Sequence, residues 1–267
     1  MKLSEIVIMS DLDGTLLYEL DKIPDRNIQA IHRFIQKGGR FGIATGRSTA
    51  FAEDIAKRLP INIPCVTYNG CAVYDFSRRE YLMQTHLPSD SFELCLAELR
   101  EKFKQVRFLV VDENYYYDIS PEDDSEIWQI RPSPYVRRAP NLDVSGKKWI
   151  KTVMRMDPSL VEKFVNQALR ISDKFEYSLS FPEALEMMPK GVSKWSALQS
   201  ICKIEGVSPD NLVCIGDYYN DYEMIKHAGI GVTMSTAPDN IKELANIIVD
   251  SCENGAIADL IEILEEK

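Results

Sequence analysis

The chain has 267 residues, 45% hydrophobic and 27% charged, the balance of a globular protein with one large domain or two smaller ones. A net charge of −10 argues against a general binder of nucleic acid or anionic membranes, but leaves room for a local cationic pocket holding a small anion. The first residues carry one lysine and a short apolar run broken by Asp11, so neither a signal peptide nor a membrane span is expected there. Six cysteines without a CxxC pair or zinc-ligand spacing point to a reducing cytoplasm, with no disulfides and no structural zinc.

Ile6 to Ser10 reads as a buried strand, and Asp25 to Lys37 as a helix between Pro24 and the stop at Gly38-Gly39. Phe41 to Ala44 is a second strand and Ser48 to Leu59 a second helix, with Ser48 or Thr49 as its N-cap. Pro64 to Thr67 is a third strand, after which Asn69-Gly70 turns the chain into Ala72-Val73-Tyr74. From about Gln84 to Met188 the pattern changes. A helix over Ser89 to Lys102 leads to a strand over Arg107 to Val111 and a strand pair around Tyr115-Tyr116-Tyr117. The stretch from about Ser120 to Asp143, rich in proline and charge, is expected to be the most mobile. Trp149 to Met156 is a strand, Ser159 to Ser172 a helix, and Tyr177 to Phe181 with Ala184 to Met188 a hairpin. The first pattern then resumes: helix Ser193 to Lys203, strand Leu212 to Ile215, helix Asn220 to His227 stopped at Gly229, and strand Ile230 to Val232. Helix Pro238 to Ala245, strand Ile247 to Val249 and helix Ala256 to Glu265 complete it. Short apolar strands alternating with helices imply an α/β core, a parallel sheet covered on both faces. Residues 1–83 and 189–267 would form that core, and residues 84–188 an inserted α+β cap domain.

In an open parallel sheet, sites form beyond the carboxyl ends of the strands. Asp11 and Asp13 follow the first strand two residues apart, so extended backbone would aim both at one volume, with Cα atoms roughly 7 Å apart. Thr45-Gly46-Arg47-Ser48 follows the second strand and leads into a helix, whose free N–H groups suit phosphate oxygens. Asn69-Gly70 follows the third. Asp217 and Asp221 span a strand-to-helix turn at a spacing that lets both face one side. Asp217 alone would be read as a helix cap; four converging carboxylates call for a hard cation, and Mg²⁺ suits them. Lys194, in the first turn of its helix, is favoured over Lys190 as the balancing charge. His32, His86 and His227 lack triad partners and are read as structural.

In order and spacing, Asp11-Leu12-Asp13-Gly14-Thr15, Thr45-Gly46-Arg47, Lys194, and Gly216-Asp217 with Asn220-Asp221 resemble the four motifs of the haloacid dehalogenase-like phosphatases. Ala44-Thr45-Gly46-Arg47, Asn69-Gly70 and the tail Asn254-Gly255 resemble the Cof-type branch, which includes sugar-phosphate phosphatases. The resemblance implies a Rossmann-like core with the cap inserted between the second and third motifs. It implies a Mg²⁺-dependent phosphatase of small phosphorylated metabolites, cytoplasmic, monomeric or homodimeric, without nucleic-acid or membrane partners. Asp11 would be the nucleophile that becomes an aspartyl-phosphate, and Asp13 the general acid and base. The Asp11 and Asp217 side chains and a backbone oxygen of Asp13 would hold Mg²⁺, with Asp221 orienting the metal's waters. Thr45, Arg47, Lys194, Asn220 and the backbone at Leu12 and Gly46 would bind the phosphoryl group. A phosphomutase on the same scaffold, or a silent metal-dependent binding module, are the rival readings. Trp195 departs from the family, where a glycine or small residue is usual; it either narrows the site mouth or packs in the core, and packing is favoured. Tyr115 to Tyr117 either line a substrate pocket or divide between core and surface.

Overall fold

The computed structural model describes residues 2–19, 21–120 and 133–266. They form two units, one of Met1–Gln84 with Ser193–Lys267 and one of Thr85–Val192. The first unit opens with β1 (Val7–Ser10), α1 (Asp25–Gln36), β2 (Arg40–Ile43), α2 (Thr49–Ala56), β3 (Cys65–Thr67), β4 (Ala72–Asp75) and β5 (Glu80–Gln84). The second holds α3 (Ser89–Lys102), β6 (Arg107–Val111), β7 (Tyr116–Asp118), β8 (Val136–Arg138), β9 (Lys151–Arg155), α4 (Val161–Ile171), β10 (Phe175–Phe181) and β11 (Ala184–Pro189). The first resumes with α5 (Lys194–Glu205), β12 (Leu212–Ile215), α6 (Tyr222–His227), β13 (Ile230–Met234), α7 (Asp239–Lys242), β14 (Ile247–Val249) and α8 (Ala256–Glu265).

The main sheet of the first unit is parallel throughout, in the order β14-β13-β12-β1-β2. β1 is reached from both windings of the chain, so the reversal of strand order falls beside it. All four β1 residues are buried, because the strand is covered on both faces. Alternation divides it: Ile6 and Ile8 join α1 and α8 through Ala30, Phe34, Leu260 and Ile261, whereas Val7 and Met9 join α5 through Ala197, Leu198 and Ile201. Full burial of each such side chain contributes about 1.5–3 kcal/mol. The Asn254-Gly255 tail serves this packing: Arg26 of α1 donates to the Asn254 carbonyl, and the Asn27 side chain accepts from the Ala258 amide at the start of α8. The α/β class read from the sequence is borne out.

In the second unit six strands run in the order β10-β11-β9-β6-β7-β8, antiparallel except for β7 with β8. α3 and α4 cover one face, packing Phe92, Leu96, Phe103 and Phe164 on Phe108, Val110, Met154 and Met187. The tyrosine-rich stretch is one strand, β7, rather than a pair. Tyr117 meets Trp149 edge-on in this core, and Tyr115 lies under the Arg137 guanidinium. Within the stretch expected to be mobile, residues 121–132 lie outside the described residues, and β8 occupies part of the remainder. Ends differ elsewhere for local reasons. α2 stops at Ala56, and Tyr219–Asp221 and Pro158–Leu160 are 3-10 turns ahead of α6 and α4. Strand β5 has no counterpart in the sequence reading. Among the described residues, no helix is long and apolar enough to cross a membrane.

Candidate active site

The parallel register aligns Ser10 with Ile43 and with Ile215, so Asp11, Ala44 and Gly216 leave the sheet side by side. β3 joins this edge through the Ala44–Val66 bridge and a Thr45 amide hydrogen bond to the Val66 carbonyl. Polar residues distant in the chain are thereby gathered at one rim.

After Asp11 the chain folds back tightly. The Leu12 carbonyl accepts the Thr15, Leu16 and Leu17 amides at 3.2, 3.0 and 2.8 Å. Gly14 has φ +78°, and a Cβ there would stand 2.6 Å from Asp217 Oδ2. Only glycine meets both demands. Thr15, read from the sequence only as part of the motif and its turn, donates to Asp217 Oδ1 at 3.2 Å.

Lys194 is 1% exposed, and its Nζ donates to Asp11 Oδ1 at 2.6 Å and to Asp221 Oδ1 at 2.5 Å. Ser193 caps its helix by accepting the Ser196 amide, which fixes Lys194 in the first turn. Asp221 Oδ2 accepts the Asp217 and Tyr218 amides at 3.0 and 3.3 Å, so both Asp221 oxygens are engaged by protein donors. Lys190 instead is exposed and lies 3.7 Å from Asp173 in the second unit.

Carboxylate oxygens of Asp11, Asp217 and Asp221 lie within 4.8 Å of one another. Three carboxylates thus face one ammonium. Burial, and then Asp221, push the Asp11 pKa well above its usual range, against the pull of Lys194. Burial and Asp221 likewise push Asp217 up to about 7. Burial disfavours the charged form of Lys194, but Asp11 and Asp221 outweigh it and hold its pKa up. The set carries an excess of negative charge, and its free oxygens, on Asp11 and Asp217, are hard donors of the kind that suit a divalent cation such as Mg²⁺.

Asp13 does not join this cluster: three carboxylates meet, not the four expected. Its carboxylate takes two hydrogen bonds from Arg47, Nε at 2.8 Å and Nη2 at 2.6 Å, and Nη2 also reaches Asp21 Oδ1 at 2.5 Å. Arg47, expected at the phosphate, is held here by two aspartates. Asp21 was not anticipated; a charged residue on a turn carries no motif. Thr45 is buried, and its Oγ1 accepts the Arg47 amide at 3.1 Å. Asn220 donates to Asn69 Oδ1 at 3.2 Å. Asp11, Leu12, Asp13, Thr45, Gly46, Arg47, Lys194, Asp217, Asn220 and Asp221 all belong to the first unit. Trp195 packs against the core cluster of α5 and stacks on His227, with ring centroids 5.7 Å apart.

Carboxylates, a buried ammonium and a helix N-terminus gathered at one end of a parallel sheet define an open α/β protein with its site beyond the carboxyl ends of the strands. The sequence profile of the haloacid dehalogenase-like hydrolases matches residues 8–261, so the chain belongs to that family. The motif resemblance, including its Cof-type character, is borne out. The chain is 26% identical over 255 residues to the 5-amino-6-(5-phospho-D-ribitylamino)uracil phosphatase YcsE of Bacillus subtilis, covering 96% of this chain and 94% of that one. It is 24% identical to the pyridoxal phosphate phosphatase YbhA of Escherichia coli, covering 96% and 97%. Its fold is also that of BT4131, a sugar phosphatase of subclass IIB, with a TM-score of 0.81, 22% identity and coverage of 97% and 99%.

Proposed function

We propose that the protein is a Mg²⁺-dependent phosphatase of small phosphorylated metabolites that works through an aspartyl-phosphate on Asp11. The observation that carries this reading is the buried Lys194 bridge between Asp11 and Asp221, with Asp217 alongside. It leaves one aspartate at the end of the central strand oriented, desolvated and next to a fixed positive charge. The names of the relatives agree in kind, since YcsE and YbhA are phosphatases of phosphorylated metabolites.

Asp11 attacks phosphorus and forms the acyl phosphate, while the ester oxygen leaves with a proton from Asp13. Asp13 then takes a proton from water, which attacks phosphorus, releases inorganic phosphate and restores the Asp11 carboxylate. Lys194, Thr45, Asn220 and the Leu12 and Gly46 amides hold the phosphoryl oxygens. The Asp11 and Asp217 side chains and the Asp13 carbonyl would hold Mg²⁺, which offsets charge on the nucleophile and the phosphoryl group. Asp221, with both oxygens engaged, keeps Lys194 and the Asp217 loop in place.

The test is phosphate release from a panel of phosphorylated metabolites, with and without Mg²⁺. Turnover should require the metal and vanish in Asp11→Asn. Activity surviving in purified Asp11→Asn protein would sink the assignment.

A further inference from the structure

Tyr68, Asn69 and Gly70 have φ of +52°, +55° and +103° in succession. Left-handed backbone is costly for a residue with a side chain, and a run of three persists only where the surroundings impose it. The surroundings here are the loops of the candidate site. The Tyr68 amide donates to the Arg47 carbonyl at 2.9 Å, and the Asn69 amide to the Thr45 carbonyl at 3.0 Å. A Cβ on Gly70 would stand 2.0 Å from the Ser193 carbonyl oxygen, so this turn is pressed against the N-terminus of the helix that bears Lys194. The turn touches three of the loops that build the site.

The Asn69 side chain is 1% exposed and lies between two of the groups assigned to phosphate. Its Oδ1 accepts from Asn220 Nδ2 at 3.2 Å. The same carboxamide lies against Gly46, where a Cβ would stand 2.9 Å from Oδ1 and 3.1 Å from Nδ2. The carboxamide therefore fills the space beside the Gly46 backbone and fixes the direction of the Asn220 side chain.

We propose that Asn69 is a positioning residue for the phosphate pocket, holding the Asn220 carboxamide and backing Gly46 so that both face one phosphoryl group. The assignment rests on the phosphatase reading above. The competing explanation is that asparagine stands at 69 only because it tolerates left-handed backbone. Glycine separates the two, since it accepts this φ without strain and has no carboxamide.

The experiment measures binding of inorganic phosphate to the full chain with Mg²⁺ by calorimetry, together with kcat and KM on p-nitrophenyl phosphate. The proteins compared are wild type, Asn69→Gly, Asn220→Ala and the double variant. Asn69→Gly should keep a cooperative melt near that of wild type, weaken phosphate roughly three- to tenfold, the scale of one hydrogen bond, and raise KM more than it lowers kcat. The double variant should lose less affinity than the product of the two single losses, because Asn69 acts partly through Asn220 and partly through Gly46. Three outcomes overturn the proposal: wild-type phosphate affinity in Asn69→Gly, multiplicative losses in the double variant, or loss of cooperative melting in Asn69→Gly, which would make the side chain a fold determinant. Wild-type protein that neither binds phosphate nor cleaves the ester overturns the phosphatase reading itself, a result distinct from these three.

Discussion

Lys194 places its ammonium 2.6 Å from Asp11 Oδ1 across 183 residues of chain, and both side chains are buried. The contact exists because β12 and α5 return to the strand that carries Asp11, and because Ser193 caps α5 one residue before the lysine. Removing one partner of such a pair leaves the other charge buried and uncompensated. Lys194→Met is therefore expected to abolish turnover and to lower metal-free stability by about 3–5 kcal/mol, read from urea unfolding.

The raised carboxylates make stability depend on pH with a definite sign. Asp217 in the unfolded chain titrates near 3.8 and in the folded chain at about 7, so between these values the folded state holds the extra proton. Its stabilising effect is complete below about pH 4 and is lost as pH rises through 7. In metal-free protein, Asp217→Asn should melt above wild type at pH 8, and the gap should close towards pH 5. A gap that does not vary with pH contradicts the shift.

Gly14 faces Asp217 so closely that alanine there meets its carboxylate, on a backbone that disfavours any side chain. Gly14→Ala should cost about 1–2 kcal/mol from the left-handed φ alone. Displacement of Asp217 should also shrink the rise in melting temperature that Mg²⁺ produces in wild type. Melts with and without the metal measure both effects.

Arg47 holds the Asp13 carboxylate and Asp21 holds Arg47, so the two lesions should look alike. In Arg47→Ala and Asp21→Asn, kcat should fall for alkyl phosphates, whose leaving oxygen needs a proton. Arg47→Ala should lose about 10- to 100-fold, up to the lower limit of what a positioned acid provides, because Asp13 is misplaced and not removed. p-Nitrophenyl phosphate, with its good leaving group, should be affected much less. Equal losses on both substrates would show that the pair does not serve Asp13.

Trp195 tests the family departure from the other side. Its ring lies on His227 and the α5 core, so Trp195→Ala should destabilise by about 1–3 kcal/mol, less than a fully buried aromatic. kcat on p-nitrophenyl phosphate should stay within twofold of wild type.

The alternation of apolar strands and helices, the parallel sheet they require, and the aspartates, lysine and glycines beyond its strand ends are legible along the chain. These are local signals, carried by period and by turn chemistry. Which partner each polar group takes is set by long-range packing. Asp13 and Asp11 are two residues apart, and alternation along a strand aims both at one place. The tight turn that follows instead gives Asp11 to Lys194 and leaves Asp13 to Arg47. Asp221 is chemically the equal of Asp217, yet Lys194 and two amides engage both its oxygens, and Asp217 keeps one free. Asn69 reads as half of a turn signal, and only the folded chain sets its carboxamide between Gly46 and Asn220. Local backbone preference is encoded within a few residues, whereas the choice among competing partners of like charge depends on the register of β1 with β2 and β12, which no single segment carries.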